Sequence, residues 1–203
     1  MTIYPTLLGE QFQKLHPKLQ HRYALPLDQP FYAKGIMHQI QTGSKWLTPF
    51  YQFASKLNFL FPESGERIPF TIATRSLINR ENEAEVSWER TFFFPKVTRK
   101  FNAKMTIDLD KQLVKDYLGD VPLFYSDLMF DVTQEGFLMI TSGTQKVVLG
   151  KKEIPIPNLL QGRVTVLEGY DEIKDVYTIH VSIYNSLIGR IMMYAGEFTE
   201  IDR

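Results

Sequence analysis

Arg90 stands where chemistry and packing conflict. Two-residue alternation puts it on one strand face with Val86, Trp88, Phe92 and Phe94, a face that is otherwise apolar. A guanidinium on such a face is costly unless it is paired or hydrogen-bonded, so the pattern predicts either an internal carboxylate or a cavity that holds an anion. Two acids have matching positions. Asp127 shares a face with Leu123, Tyr125 and Met129, and Glu168 shares one with Val164 and Val166. Either could pair with Arg90, and the Tyr125 face could equally be the solvent side.

Other reactive groups are sparse. His16, His21, His38 and His180 are too scattered for a metal motif and lack the i, i+4 spacing of helical zinc sites. His38 alternates with Ile36 and Ile40, and His180 with Thr178 and Ser182, which reads as histidines set in a sheet. No cysteine is present, which excludes disulfides, thiolate nucleophiles and thiolate metal sites. No serine sits in a G-x-S-x-G elbow and no glycine loop is built to cradle phosphate. No metal or cofactor is expected.

The chain of 203 residues carries 23 basic and 23 acidic side chains, and no basic run long enough to track a nucleic acid. Lys96, Arg99, Lys100 and Lys104 form the densest basic stretch, and Asp108 and Asp110 follow it. Nucleic acid is therefore not an expected partner. The first ten residues lack a signal-peptide pattern and no apolar run reaches membrane-spanning length, so the expected location is cytoplasmic.

The elements that must position these groups are mostly strands. Tyr4, Leu8, Phe12, Leu15 and Leu19 recur at helical spacing, and Pro17 divides residues 4–23 into short helices. A first strand is expected over 31–41. A helix is expected over 44–61, with Trp46, Phe50, Phe53, Leu57 and Leu60 as the stripe packed on the protein's own sheet. That stripe could alternatively serve a partner or a membrane.

From residue 68 to 198 the period is two, with turn signals between runs. Expected strands cover 68–78, 86–94, 101–109, 123–132, 137–142, 162–168, 176–184 and 190–198. Leu113 to Leu118 reads as a helical turn, and 147–160 as a loop with room for a short helix. About nine strands exceed what one flat sheet carries without curling. A single domain, 1–203, follows: α+β, mostly antiparallel, a strongly curved sheet or partly closed lipocalin-like β-barrel covered by the helix and the short N-terminal helices.

The ordered motifs resemble a bacterial family of unknown function, DUF4166. They are Tyr4-Pro5 with Leu7-Leu8-Gly9, Phe12 with Leu15-His16-Pro17, and Arg22-Tyr23. Gly35 and Met37, Trp88-Glu89-Arg90 with Phe92, and Gly189, Tyr194, Gly196 and Phe198 continue them. The resemblance spans nearly the whole chain and implies no activity.

Three functions remain open. A curved sheet with a mostly apolar inner wall suits a small apolar or amphipathic ligand, with Trp88, Phe92, Met105 and Tyr194 as wall, Arg90 as anion anchor and Asp127 as its polar neighbour. An enzyme would use Arg90 with Asp127, Glu168, His38 or His180 as acid or base. A structural or protein-interaction module would use the aromatic helix or a strand edge.

Overall fold

The computed structural model of the chain describes residues 2–27, 29–150 and 152–202. Three short helical segments come first: α1 (Ile3–Leu8), a 3-10 turn (Gly9–Lys14) and α2 (Pro17–Ala24). Pro17 occupies the first turn of α2, where its missing N–H costs nothing. His16 caps that turn, its Nδ1 accepting from the Lys18 amide at 3.3 Å.

After β1 (Phe31–Thr42), the chain forms a 3-10 turn (Lys45–Leu47) and α3 (Thr48–Lys56). The remaining strands are β2 (Gly65–Ile78), β3 (Ala84–Phe94), β4 (Val97–Lys100), β5 (Ala103–Asp108), β6 (Leu113–Leu118) and β7 (Phe124–Val132). Then come β8 (Leu138–Leu149), β9 (Lys152–Pro155), β10 (Arg163–Asp171), β11 (Val176–Asn185) and β12 (Gly189–Glu200).

Every pairing is antiparallel, and the order runs β10-β11-β12-β1-β2-β3-β5-β6-β7-β8, with β8 pairing back onto β10 through Leu138–Thr141 and Thr165–Glu168. Ten strands therefore close a barrel. Strands β4 and β9 extend its wall from β3 and β8. Closure leaves the barrel strands without open edges along their paired lengths, a stable solution for so many strands.

Three expectations change here. The loop expected over 147–160 holds the end of β8, strand β9 and the 3-10 turn at Asn158–Leu160. Leu113 to Leu118 is strand β6, not a helical turn, and its alternation places Val114 and Asp116 among the buried residues. The helix expected over 44–61 is shorter, and its buried face is Leu47, Tyr51 and Ala54, not the Trp46, Phe50 and Phe53 stripe. The Tyr51 hydroxyl decides which face goes in: it donates to the Ile191 carbonyl and accepts from the Gly43 amide at 3.0 Å. Leu57 to Leu60 then leave the helix, and the Phe59 ring lies 5.1 Å from that of Phe124.

Strands β1 and β12 meet closely. The register shifts between Met37 and Gln39, so Met37 and Ile40 are both buried while His38 is exposed. A side chain at Gly196 would place Cβ 2.4 Å from the Ile36 carbonyl oxygen and 2.7 Å from the Met37 Cα. Because both neighbours are backbone, Gly196→Ala is expected to destabilise the fold by about 3 kcal/mol, seen as a lower urea midpoint with an unchanged m-value. A midpoint shift near zero would mean that the two strands can separate locally at no cost.

The N-terminal helices plug one barrel end. Tyr4, Leu19 and Tyr23 are fully buried there, and the His16 amide donates to the Gly136 carbonyl at 2.9 Å in the β7–β8 turn. The opposite end carries α3, the turn after β6, the β11–β12 hairpin and a 3-10 turn at Asn158–Leu160. Asp120 N to Leu57 O at 3.0 Å, and Asn185 Nδ2 to Leu159 O at 2.9 Å, tie these segments together.

Candidate functional site

Between the plug and the α3 end, the barrel encloses a cavity of about 230 Å³. Its wall is mainly Met105, Phe130, Ile140, Val166, Ile179 and Val181, with a polar group concentrated on β3, β6 and β12. Arg90 lies at a seam. Trp88 pairs with Ala103 of β5, whereas Thr91 pairs with Lys100 of β4, so the strand beside β3 changes at Arg90. The Phe101 carbonyl, left at this break, accepts from Arg90 Nε at 2.9 Å.

Arg90 Nη1 donates to the Tyr194 hydroxyl at 3.3 Å, and the guanidinium carbon lies 4.3 Å from the Phe101 ring centroid. Two of its five N–H donors are thus engaged. Among the described residues no carboxylate comes within ion-pairing distance of it. The predicted inward charge is therefore present, on the cavity wall, without an internal salt bridge.

Asp116 is the acid that sequence alternation did not bring to notice. It lies on β6 opposite Met105 and Ser126, is buried, and lines the same cavity. Its Oδ1 has no hydrogen-bond partner among the described residues. Burial pushes its pKa up to about 7, and the nearby Arg90 charge pulls the other way. Asp116 is thus poised to change charge near neutral pH, which few carboxyl groups do.

The other expected partners go elsewhere. Glu168 lines the cavity but is bound by α2: Arg22 Nε donates to its Oε1 and the Tyr23 hydroxyl to its Oε2 at 2.7 Å. It is Arg22's partner, not Arg90's. Asp127 is half-buried at the register shift of β7, opposite Lys115 and off the cavity wall, and accepts from the Tyr125 hydroxyl. That face is not simply the solvent side, since Tyr125 on it is buried, but Asp127 does not meet Arg90.

Trp88, Met105 and Tyr194 line the cavity as expected. The Trp88 indole donates to the Tyr4 hydroxyl at 2.9 Å, and that hydroxyl donates to the Met105 sulfur at 3.3 Å, which makes a hydrogen-bonded floor above the plug. Phe92 is sealed one layer back, its ring 5.2 Å from Phe61, 6.0 Å from Phe70 and 5.8 Å from Tyr194. It supports Tyr194 rather than contacting the cavity.

The histidines stay outside. His16 pairs with Glu172, His21 with Glu200 and His38 with Glu197, and His180 is exposed on β11. None reaches Arg90. Among the described residues, no three His, Asp or Glu side chains converge as a metal site. No helix there is long and apolar enough to cross a membrane.

Several residues that carried the family resemblance meet at this floor, namely Tyr4, Arg22, Tyr23 and Trp88, and Tyr194 lines the cavity with Arg90. Comparison with known proteins agrees with the resemblance. The chain is 36% identical over 192 residues to the uncharacterized protein YndH of Bacillus subtilis (strain 168), an alignment that covers 95% of this chain and 94% of that protein. Residues 15–198 match the family described as Domain of unknown function (DUF4166), and the chain belongs to that family.

Proposed function

We propose that the barrel binds a small amphipathic ligand, its apolar body in the cavity and an acidic head on Arg90. The observation that carries this reading is a guanidinium facing an apolar cavity with no carboxylate among the described residues paired to it. Apolar walls with a few convergent polar groups are the usual form of a small-molecule site. An anion supplies the charge the protein omits, and bidentate geometry suits a carboxylate or phosphate.

Asp116 refines the reading. An anionic head at Arg90 raises the cost of ionising Asp116, so the bound state holds this carboxyl neutral and binding takes up a proton at pH values where free Asp116 is ionised. Affinity for an acidic ligand is expected to weaken as pH rises through about 7.

Native mass spectrometry of the purified protein, followed by solvent extraction, tests occupancy. Titration with a fluorescent long-chain carboxylic acid tests the anchor. Arg90→Met is expected to weaken that acid by about 30-fold or more while changing binding of the matching alcohol little. Empty wild-type protein that ignores both probes would remove the reading.

Asp116 also favours a second reading, proton transfer on the bound ligand with Arg90 stabilising the anion formed. Asp116→Asn would then retain substrate that wild type converts. The species extracted from the two proteins should differ in mass. Identical extracts count against catalysis and leave binding in place.

A further inference from the structure

The α3 end of the barrel is an apolar rim. Trp46, Phe50, Phe53, Leu159, Leu160 and Leu187 are 37–66% exposed, although they come from three separate segments of chain. Hydrogen bonds from Asn185 to Leu159 and Gln161, and from the Gly43 amide to the Ile191 carbonyl, hold those segments at one end. The other end is closed by buried helical side chains. Phe50 and Leu160 do two things at once: both line the cavity and both are exposed. The rim is continuous with the cavity wall.

Charge at this end is predominantly positive. No Asp or Glu occurs between Pro30 and Pro62, and Lys45, Lys56, Arg163 and Arg190 are exposed on or beside the rim segments. Of the acids near this end, Glu153 pairs with Lys146 at 3.0 Å and Glu63 with Arg99 at 2.6 Å. The exposed Asp120 accepts only from the neutral amides of Asn58 and, at 2.7 Å, Asn102, and Glu66 is exposed on β2. The four rim cations outnumber the two acids without a cationic partner among the described residues. A chain with balanced formal charge thus sets cations around an apolar ring.

We infer that this rim docks on an anionic lipid surface. Exposed aromatic and leucine side chains on several loop tips, bordered by Lys and Arg, suit an interface that is apolar beneath and negative above. A peptide-binding groove would instead offer a trough within one surface. Docking sets the mouth, at Phe50 and Leu160, against the phase in which an apolar ligand resides. The docking itself stands on the rim alone, and only exchange of ligand with the bilayer rests on the proposed cavity function.

Trp46 reports on the test directly, since the other tryptophan, Trp88, is buried. The full chain is mixed with extruded vesicles of phosphatidylcholine alone or with phosphatidylglycerol added, and attachment is read by flotation and by Trp46 emission. Attachment to the anionic vesicles is expected, with a blue shift and quenching by lipids spin-labelled near the interface. A triple variant, Trp46→Ser, Phe53→Ser and Leu160→Ser, should attach about 10-fold or more weakly, as should Lys45→Glu with Lys56→Glu. Both variants alter exposed positions, and an unchanged thermal midpoint certifies their fold.

Arg90→Met separates the two ideas: it should lose the acidic probe in solution and still float with anionic vesicles. Wild type that attaches to neither vesicle overturns the inference, as does a triple variant that attaches like wild type. A Trp46 blue shift that appears with protein concentration alone, with a dimer by light scattering, also overturns it by assigning the rim to a second copy of the chain.

Discussion

Arg22→Ala should lower unfolding stability by about 3–5 kcal/mol, the usual cost of stripping one partner from a buried ion pair. Both side chains of the Arg22–Glu168 pair are 2% exposed or less. Burial alone would lower the Arg22 pKa, and the Glu168 carboxylate together with the Tyr23 and Tyr177 hydroxyls more than offsets it and raises the value. The guanidinium sits in a box of rings, with centroids 4.6 Å away at Phe31, 4.8 Å at Phe198 and 5.1 Å at Trp88. Its Nη1 and Nη2 have no hydrogen-bond partner among the described residues, so ring faces stand where acceptors usually do. Without Arg22, Glu168 keeps only the Tyr23 hydroxyl among the described residues. The double variant Arg22→Met with Glu168→Leu should recover most of the loss, because it leaves no orphaned charge. Denaturant titration of the four proteins measures the coupling. A single-variant cost under about 1 kcal/mol would place the pair among ordinary surface bridges and contradict its burial.

That pair shows what the sequence could and could not reveal. Glu168 beside Val164 and Val166 is legible as an acid on an apolar face, just as Arg90 is. Their partners are not legible. Arg22 lies 146 residues from Glu168, on a short amphipathic helix where a charged side chain ordinarily faces water. Strand alternation assigns a side chain to a face, but says nothing about which charged group from a distant element reaches that face. By alternation alone, the two inward charges are natural partners. In the fold, a plug helix takes one of them, and the other is left with a carbonyl and a phenol.

Strand existence is legible because period two persists over long runs such as Phe101 to Leu109. Closure is not, since the β8–β10 pairing depends on curvature accumulated around the whole sheet. The segment Leu113 to Leu118 misleads for a local reason. Its apolar residues Leu113, Val114, Tyr117 and Leu118 fit a helical turn, and the strand reading requires accepting Asp116 as an inside residue. The feature that conceals the strand is the one that matters for the site. On α3, two apolar faces compete, and periodicity cannot say which one the core receives. The Tyr51 hydroxyl bond to Ile191 selects its own face and leaves Trp46 and Phe53 outside.

Asp116 carries the second large effect, and it is expected to be unfavourable to the fold. Its folded pKa is about 7, against an ordinary carboxylate value of 3.8. The sign follows from proton counting. Between those two values the folded protein keeps the Asp116 proton and the unfolded chain releases it, so stability falls as pH rises across that window and levels off above it. At about 1.4 kcal/mol for each pH unit of that window, the full loss is on the order of 4 kcal/mol. Asp116→Asn cannot ionise and escapes this loss. The stability difference between Asp116→Asn and wild type should therefore be small near pH 4, grow through pH 6, and reach about 3–4 kcal/mol in favour of the variant at pH 8. Urea unfolding at those pH values measures it, and a difference that does not vary with pH would mean that Asp116 ionises at its ordinary value. A buried carboxyl that costs the fold this much, 7% exposed and lining a cavity beside an unpaired arginine, is hard to explain as packing. The proposed ligand site accounts for it, since an acidic head on Arg90 would hold this carboxyl neutral.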